Sequence, residues 1–167
     1  LLPQPFAPYP LLTVGMVLDV FTPVVLLPVA WWLFRRAAPD PPTAVQGLLF
    51  VGVVGVLIEG QAMHLAANAI GEQLGAVGGN ITRLTHDLDE FLSHMIWHGG
   101  LIALSVLLLS RTSTHIPQRT PRKALIVIAI AALTLGATYF LMVVEGGTGI
   151  IGVPGAIGVG ILGLWIA

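Results

Sequence analysis

Long apolar stretches separated by short polar connectors are the dominant pattern of this chain. A helix that crosses the hydrocarbon core of a bilayer needs about 20 mostly apolar residues. The stretches that approach or exceed this length are Leu11–Phe34, Ala44–Ile70, Leu88–Ser110, Ala124–Val144 and Thr148–Ala167. The pattern predicts an all-α integral membrane protein, a single polytopic bundle of about five transmembrane helices. The chain lacks an initiator Met and stops inside an apolar stretch, so we expect a mature or partial chain.

Proline and glycine predict irregularities in the first and last of these helices. Pro23 and Pro28 should kink the first, because proline cannot donate a backbone hydrogen bond and its ring clashes with the preceding turn. The last stretch is rich in glycine and also contains Pro154. Small residues let helix backbones approach closely, so this stretch should pack tightly, either within the chain or against other membrane subunits.

The composition agrees with a membrane protein and excludes several kinds of site. Hydrophobic residues make up 56% of the chain and charged residues only 9%, whereas soluble domains have about 25% charged residues. A net charge of -1 gives no basis for a nucleic-acid partner. The chain has no cysteine, so disulfides and thiolate metal sites are excluded. Any metal site must use imidazole and carboxylate ligands.

The basic residues predict an orientation in the membrane. Two connectors, after the first and third stretches, hold nearly all of them: Arg35, Arg36, Arg111, Arg119, Arg122 and Lys123. Cytoplasmic connectors carry an excess of Lys and Arg, so we place these two in the cytoplasm. The N-terminus and the connector between the second and third stretches are then external or periplasmic.

Acidic and histidine residues inside the predicted membrane helices mark the candidate site. Glu90, His94 and His98 are four residues apart and should lie along one side of the third helix. A charged residue at the bilayer centre costs about 2.5–3.5 kcal/mol, so such residues are rare and usually functional. At 1.5 Å per residue, His64 of the second helix should lie at the depth of His94, and Glu59 at that of His98.

Asp19 of the first helix should lie about 12 Å below the external surface. With it, all of these polar residues fall in the outer half of the membrane, which predicts one site facing the external side. Glu59 and His64 are about 140° apart on a regular helix. Only a π-bulge near Gly60 would bring both into the site.

Other polar residues have simpler interpretations. His86, Asp87 and Asp89 should belong to a solvated helix start that Thr85 caps, because acids are favourable at helix N-termini. Glu145 should end a helix at the external interface. Asp19 has an alternative role in capping or bridging the kinked first helix, and the histidines could be neutral groups that hydrogen-bond across helices.

Imidazole and carboxylate ligands suit zinc, iron or copper. The candidate ligands are His64, His94, His98, Glu59, Glu90 and Asp19. A metal-bound water would be activated as a nucleophile, with Glu90 or Glu59 as the catalytic general base. The expected substrate is a lipid or another hydrophobic molecule that enters from the surrounding membrane lipids.

The motif His94-x3-His98 with an acid upstream resembles the zinc ligands of membrane hydrolases of the alkaline ceramidase and adiponectin receptor kind. The resemblance implies zinc held within the helices by histidines and an aspartate. Those proteins have seven helices, so the predicted helix count of this chain departs from theirs.

Two other functions are compatible with the same residues. His64 and His94 could ligate a haem or chlorophyll-type pigment in a subunit of an electron-transfer or photosynthetic complex. The nearby acids argue against this, because an apolar pigment does not need them. A proton or metal-ion carrier would need polar residues across the whole membrane, and the inner half holds chiefly Ser105 and Thr134.

Overall fold

The computed structural model describes residues 4–7, 9–74, 78–112, 121–145 and 147–166. A short antiparallel hairpin opens the chain, with β1 at Pro5–Phe6 and β2 at Tyr9–Thr13. Helices form nearly all of the rest: α1 (Val14–Val20), α2 (Thr22–Arg36), α3 (Ala44–Leu74), α4 (Asn80–His86), α5 (His94–Thr112), α6 (Arg122–Glu145) and α7 (Gly149–Ile166). A π-helix over Asp87–Ser93 joins α4 to α5 without a break.

Three helical stretches of the described chain are long and apolar enough to cross a membrane. They are Val14–Arg36, Ala44–Leu74 and Asn80–Thr112, with 23, 31 and 33 residues and mean hydropathies of 1.9, 1.8 and 1.7. Two shorter apolar helices cover Ile128–Leu141 and Gly149–Trp165. The all-α architecture is therefore confirmed at this coarser level.

The boundaries of two predicted helices differ from expectation. The second helix extends to Leu74, and the third begins at Asn80 rather than Leu88. Gly78 and Gly79 have φ of 73° and 98°, a backbone conformation that favours glycine, and they end the connector immediately before Asn80. The polar residues before Leu88 are helical, which apolar periodicity alone could not indicate.

The first helix is interrupted at Phe21, between α1 and α2. Pro23 lies in the first turn of α2, where its missing N–H costs no internal hydrogen bond. The interruption matches the kink predicted from Pro23, whereas α2 continues through Pro28. Thr13 caps α1, and its hydroxyl accepts a hydrogen bond from the Met16 amide at 3.1 Å.

Among the described residues, α3 and α5 cross with their backbones in close contact. A Cβ added at Gly60 would collide with the backbone of Trp97, and one added at Gly100 would lie 2.8 Å from the Cα of Leu57. The two glycines thus bring the backbones together from both sides, the packing that small residues allow. This crossing fixes how the polar residues of α3 face those of α5.

The glycine-rich α7 packs on α5 and α6 through part of its length. Gly152 is in contact with Val143 of α6, and Gly155 with Ile102 of α5. The expected packing role is therefore confirmed for these two positions. The remaining glycines of α7 face open space: Gly149, Gly158, Gly160 and Gly163.

Candidate functional site

Four polar side chains meet where α3 crosses the π-helix and α5. They are His64, Asp89, His94 and His98, which we call the imidazole cluster. The ring centroids of His64 and His94 are 4.7 Å apart, and those of His94 and His98 are 5.6 Å apart. His64 and His94 therefore lie opposite each other on α3 and α5, and their depth in a membrane stays a prediction. His94 and His98 share a face because they are four residues apart on a regular helix.

Asp89 joins this cluster contrary to the expectation of a solvated helix start. It is 9% exposed, and its Oδ1 lies 2.7 Å from Nδ1 of His64, although out of line for a hydrogen bond. Asp89 and His94 are five residues apart, which on an α-helix would separate them by about 140°. The π-helix, whose hydrogen bonds run from i to i+5, brings such positions to one side.

The polar residues near Asp89 also differ from the predicted capping arrangement. Thr85 does not cap a helix start but is buried within α4, where its hydroxyl donates to the carbonyl of Ile81. The hydroxyl of Ser93 donates to the carbonyl of Asp89. The helix therefore starts farther upstream, and Asp89 lies inside it, on the side that faces α3.

His94 has one ring nitrogen occupied by the backbone. Its Nδ1 lies 3.0 Å from the carbonyl oxygen of Glu90, and because a carbonyl can only accept, this nitrogen carries the hydrogen. The Nε2 atom of neutral His94 therefore keeps its lone pair. The Glu90 carboxylate is about half exposed and lies 4.0 Å from the same Nδ1, at the edge of the cluster.

His98 is the most deeply buried member, with 1% exposure. Its Nδ1 lies 2.5 Å from the hydroxyl of Thr148, the residue that precedes α7. Its Nε2 is buried without a hydrogen-bond partner among the described residues. One nitrogen of His98 is thus anchored by another helix, and the other is unpaired.

Trp97 packs against the three imidazoles and is a residue that the sequence did not identify. Its ring centroid lies 5.8 Å from that of His64, 6.3 Å from that of His94 and 5.7 Å from that of His98. Its position three residues after His94 was the available signal, since such residues are neighbours on a helix. Thr148 carried no such signal, because it lies 50 residues from His98 in the chain.

Two predicted ligands lie apart from the cluster. Glu59 is exposed on α3, because α3 is regular at Gly60 and no π-bulge turns this residue toward His64. Asp19 is also exposed, and its backbone carbonyl accepts a 3.4 Å hydrogen bond from the side chain of Gln61. The side chain of Glu145 lies outside the described residues.

The imidazole cluster contains nitrogen and oxygen donors, but they are not arranged around one metal position. Among the described residues, no group of three His, Asp or Glu side chains is placed to hold one metal ion. The donors that are available come from both sides of the helix crossing, with His64 on α3 and the others on the π-helix and α5.

The chain matches no known protein family, no curated protein and no solved structure.

Proposed function

We propose that this chain is a multi-pass membrane protein whose imidazole cluster binds a transition-metal ion for chemistry on a lipid or another hydrophobic substrate. The observation that carries the proposal is the convergence of three imidazoles and one carboxylate in a single buried cluster. Nε2 of His98 is buried there without a hydrogen-bond partner among the described residues. Nδ1 of His64 and Oδ1 of Asp89 lie 2.7 Å apart as an ion pair in the same cluster.

Unpaired polar atoms are expensive in a protein interior. Each costs about 1–3 kcal/mol, more if it is charged, so native structures contain few of them. The unpartnered Nε2 of His98, inside a cluster of three imidazoles and a carboxylate, is best explained if it donates its electron pair to a bound cation. Imidazole with carboxylate suits zinc, iron or copper, and the ion itself is not identified by these donors.

The proposed ligands are His64, Asp89, His94 and His98. Compared with the ligands expected from the sequence, Asp89 takes the place of Glu59 and Asp19. The ring centroids of His64 and His94 are 4.7 Å apart, and the proposal requires side-chain rotations that direct their nitrogens at one ion. Glu90, beside His94 and partly exposed, is suited to act as a general base near such an ion.

The spacing of the rings favours a metal ion over a haem between His64 and His94. With centroids 4.7 Å apart, the two imidazoles are in contact and leave no space for a porphyrin between them. The carboxylate of Asp89 beside His64 also suits an ion better than an apolar pigment. These two observations favour the metal ion, and a haem or chlorophyll-type pigment stays the alternative proposal.

A hydrophobic substrate is proposed because the surrounding helices are apolar and long enough to cross a membrane. A water-soluble substrate would have to leave water to reach the cluster, whereas a lipid is already at that depth. The external side follows from the distribution of basic residues and is part of the proposal.

The first experiment is elemental analysis of the purified protein in detergent, with His64→Ala, His94→Ala and Asp89→Asn as variants. We expect about one zinc, iron or copper ion per wild-type chain and a loss of most of it in each variant. His86→Ala is the matched control, because His86 is exposed on α4. The metal-loaded protein is then incubated with a membrane lipid extract, and mass spectrometry follows the lipid species.

Metal content that is the same in wild type and all three variants would refute the ligand assignment. Metal binding without any change of a lipid species would leave the metal centre in place and refute a membrane lipid as the substrate.

A further inference from the structure

We infer that Thr148 is a positioning residue for His98, which it holds with hydrogen on Nδ1 so that the Nε2 lone pair is free to bind the metal. This inference rests on the proposed function. It concerns a residue distant in sequence from His98 and immediately before α7, which does not bind the ion itself and acts through the imidazole.

The contact between Thr148 and His98 is completely buried. Thr148 is 0% exposed, His98 is 1% exposed, and Oγ1 lies 2.5 Å from Nδ1. The backbone of Thr148 is also fixed, because its carbonyl accepts hydrogen bonds from Ile151 at 3.0 Å and from Gly152 at 2.8 Å. The hydroxyl is therefore held at the start of α7.

The backbone of Gly147 and Thr148, just before α7, holds this hydroxyl beside His98. Gly147 has φ of 60°, which favours glycine, and the amide of Thr148 donates to the carbonyl of Val143 at 3.2 Å. Farther along α7, Gly152 and Gly155 admit the side chains of Val143 and Ile102. A larger residue at either glycine would push α7 away from its neighbours and Thr148 away from His98.

The two tautomers of His98 have different consequences. If the threonine hydroxyl donates to Nδ1, then Nε2 carries hydrogen, cannot bind a metal and remains a buried donor without an acceptor. If Nδ1–H donates to the hydroxyl oxygen, Nε2 has its lone pair and a metal satisfies it. Metal-binding histidines commonly donate their other N–H in this way, which fixes the tautomer and the ring orientation.

The test compares Thr148→Val, which keeps the shape but removes the hydroxyl, with Thr148→Ser, which keeps the hydroxyl. Co²⁺ binding to the metal-free protein in detergent is titrated by its visible absorption. Losing such a partner costs about 10–100-fold in metal affinity, so we expect that weakening for valine and near wild-type affinity for serine. Circular dichroism checks that both variants keep the helical content of the wild type.

A second measurement does not depend on metal. Nitrogen NMR of ¹⁵N-histidine-labelled, metal-free protein, with His98 assigned by His98→Gln, reports which ring nitrogen carries hydrogen. We expect hydrogen on Nδ1 in wild type and in Thr148→Ser, and a mixture of tautomers in Thr148→Val.

The outcomes separate the two proposals. Equal Co²⁺ affinity in wild type and Thr148→Val, or hydrogen on Nε2 in wild type, would overturn the positioning role while leaving metal binding intact. Wild-type protein that binds no Co²⁺ would refute the proposed function. In that case the NMR result still decides whether Thr148 sets the tautomer of His98.

Discussion

At the scale of residues, the buried polar side chains are the ones that connect the helices. Arg111 was expected in a cytoplasmic connector but lies in the last turn of α5 with 5% exposure. Its guanidinium donates to the carbonyls of Phe34 and Asp40 and to the side chain of Gln46, at 3.0, 2.7 and 2.7 Å. It also lies 5.0 Å from the ring centroid of Phe34. Arg111 therefore connects α2, α3 and the segment between them.

Gln46 serves two purposes in this connection. Its side-chain oxygen accepts from the Thr43 amide at 2.9 Å, while the Thr43 hydroxyl accepts from the Gln46 amide at 3.2 Å. This reciprocal pair is a capping box at the start of α3. The same oxygen binds Arg111, so the start of α3 and the end of α5 are fixed by one side chain.

Arg111→Lys should destabilise the protein although the charge is kept, because an ammonium group cannot reach three acceptors in the directions of a guanidinium fork. Hydrogen bonds to charged groups contribute about 1.5–3 kcal/mol each, so we expect a loss of that order and a lower Tm. Thermal unfolding in detergent, followed by tryptophan fluorescence, measures it. Arg122→Lys, at an exposed position, is the control. Equal Tm values for both variants would contradict the role of Arg111.

At the scale of elements, the π-helix and the glycine crossing create the cluster. The π-helix turns Asp89 toward α3, and Gly60 and Gly100 let α3 approach α5 closely enough for His64 and His94 to touch. A regular helix over the same residues would direct Asp89 away from His64. The site is therefore a product of helix geometry as much as of residue type.

Gly60→Ala should separate α3 from α5, since its added methyl group would collide with the backbone of Trp97. Overpacking of this kind costs about 1–3 kcal/mol, and metal binding should weaken with it. Gly55→Ala is the matched control on the same helix, because the methyl position has no described neighbour within 4 Å outside its own turns of α3. There alanine should be neutral or slightly stabilising. The free energy of unfolding in detergent is measured for both variants. Equal values for Gly60→Ala and Gly55→Ala would contradict a close crossing of α3 and α5.

At the scale of the whole molecule, the long helices separate the residues at one end of the bundle from those at the other end. With 31 residues, α3 is about 46 Å long, enough to place its ends on opposite sides of a bilayer. The start of α4 at Asn80 then lies at one end, and Arg36 and Arg122 belong to the other. The basic residues predict that the second end is cytoplasmic.

This topology can be tested cleanly because the sequence contains no cysteine. Single cysteines at Asn80 and Pro121, both exposed positions, serve as reporters for the two ends. A membrane-impermeant maleimide should label Asn80→Cys in intact cells, and Pro121→Cys only after the membrane is opened. The reverse pattern would invert the orientation and place the imidazole cluster nearer the cytoplasm.

The sequence by itself determined most of the helical stretches and that His64 lies opposite His94 along them. Apolar length indicated the helical stretches, and a rise of 1.5 Å per residue matched His64 with His94 because both quantities are properties of single helices. What only the tertiary structure decided is which polar residues face one another. Asp89 enters through a π-helix that no apolar pattern indicates, and Glu59 is excluded because α3 stays regular. Thr148 reaches His98 through a helix contact between residues far apart in the chain, which local periodicity cannot encode.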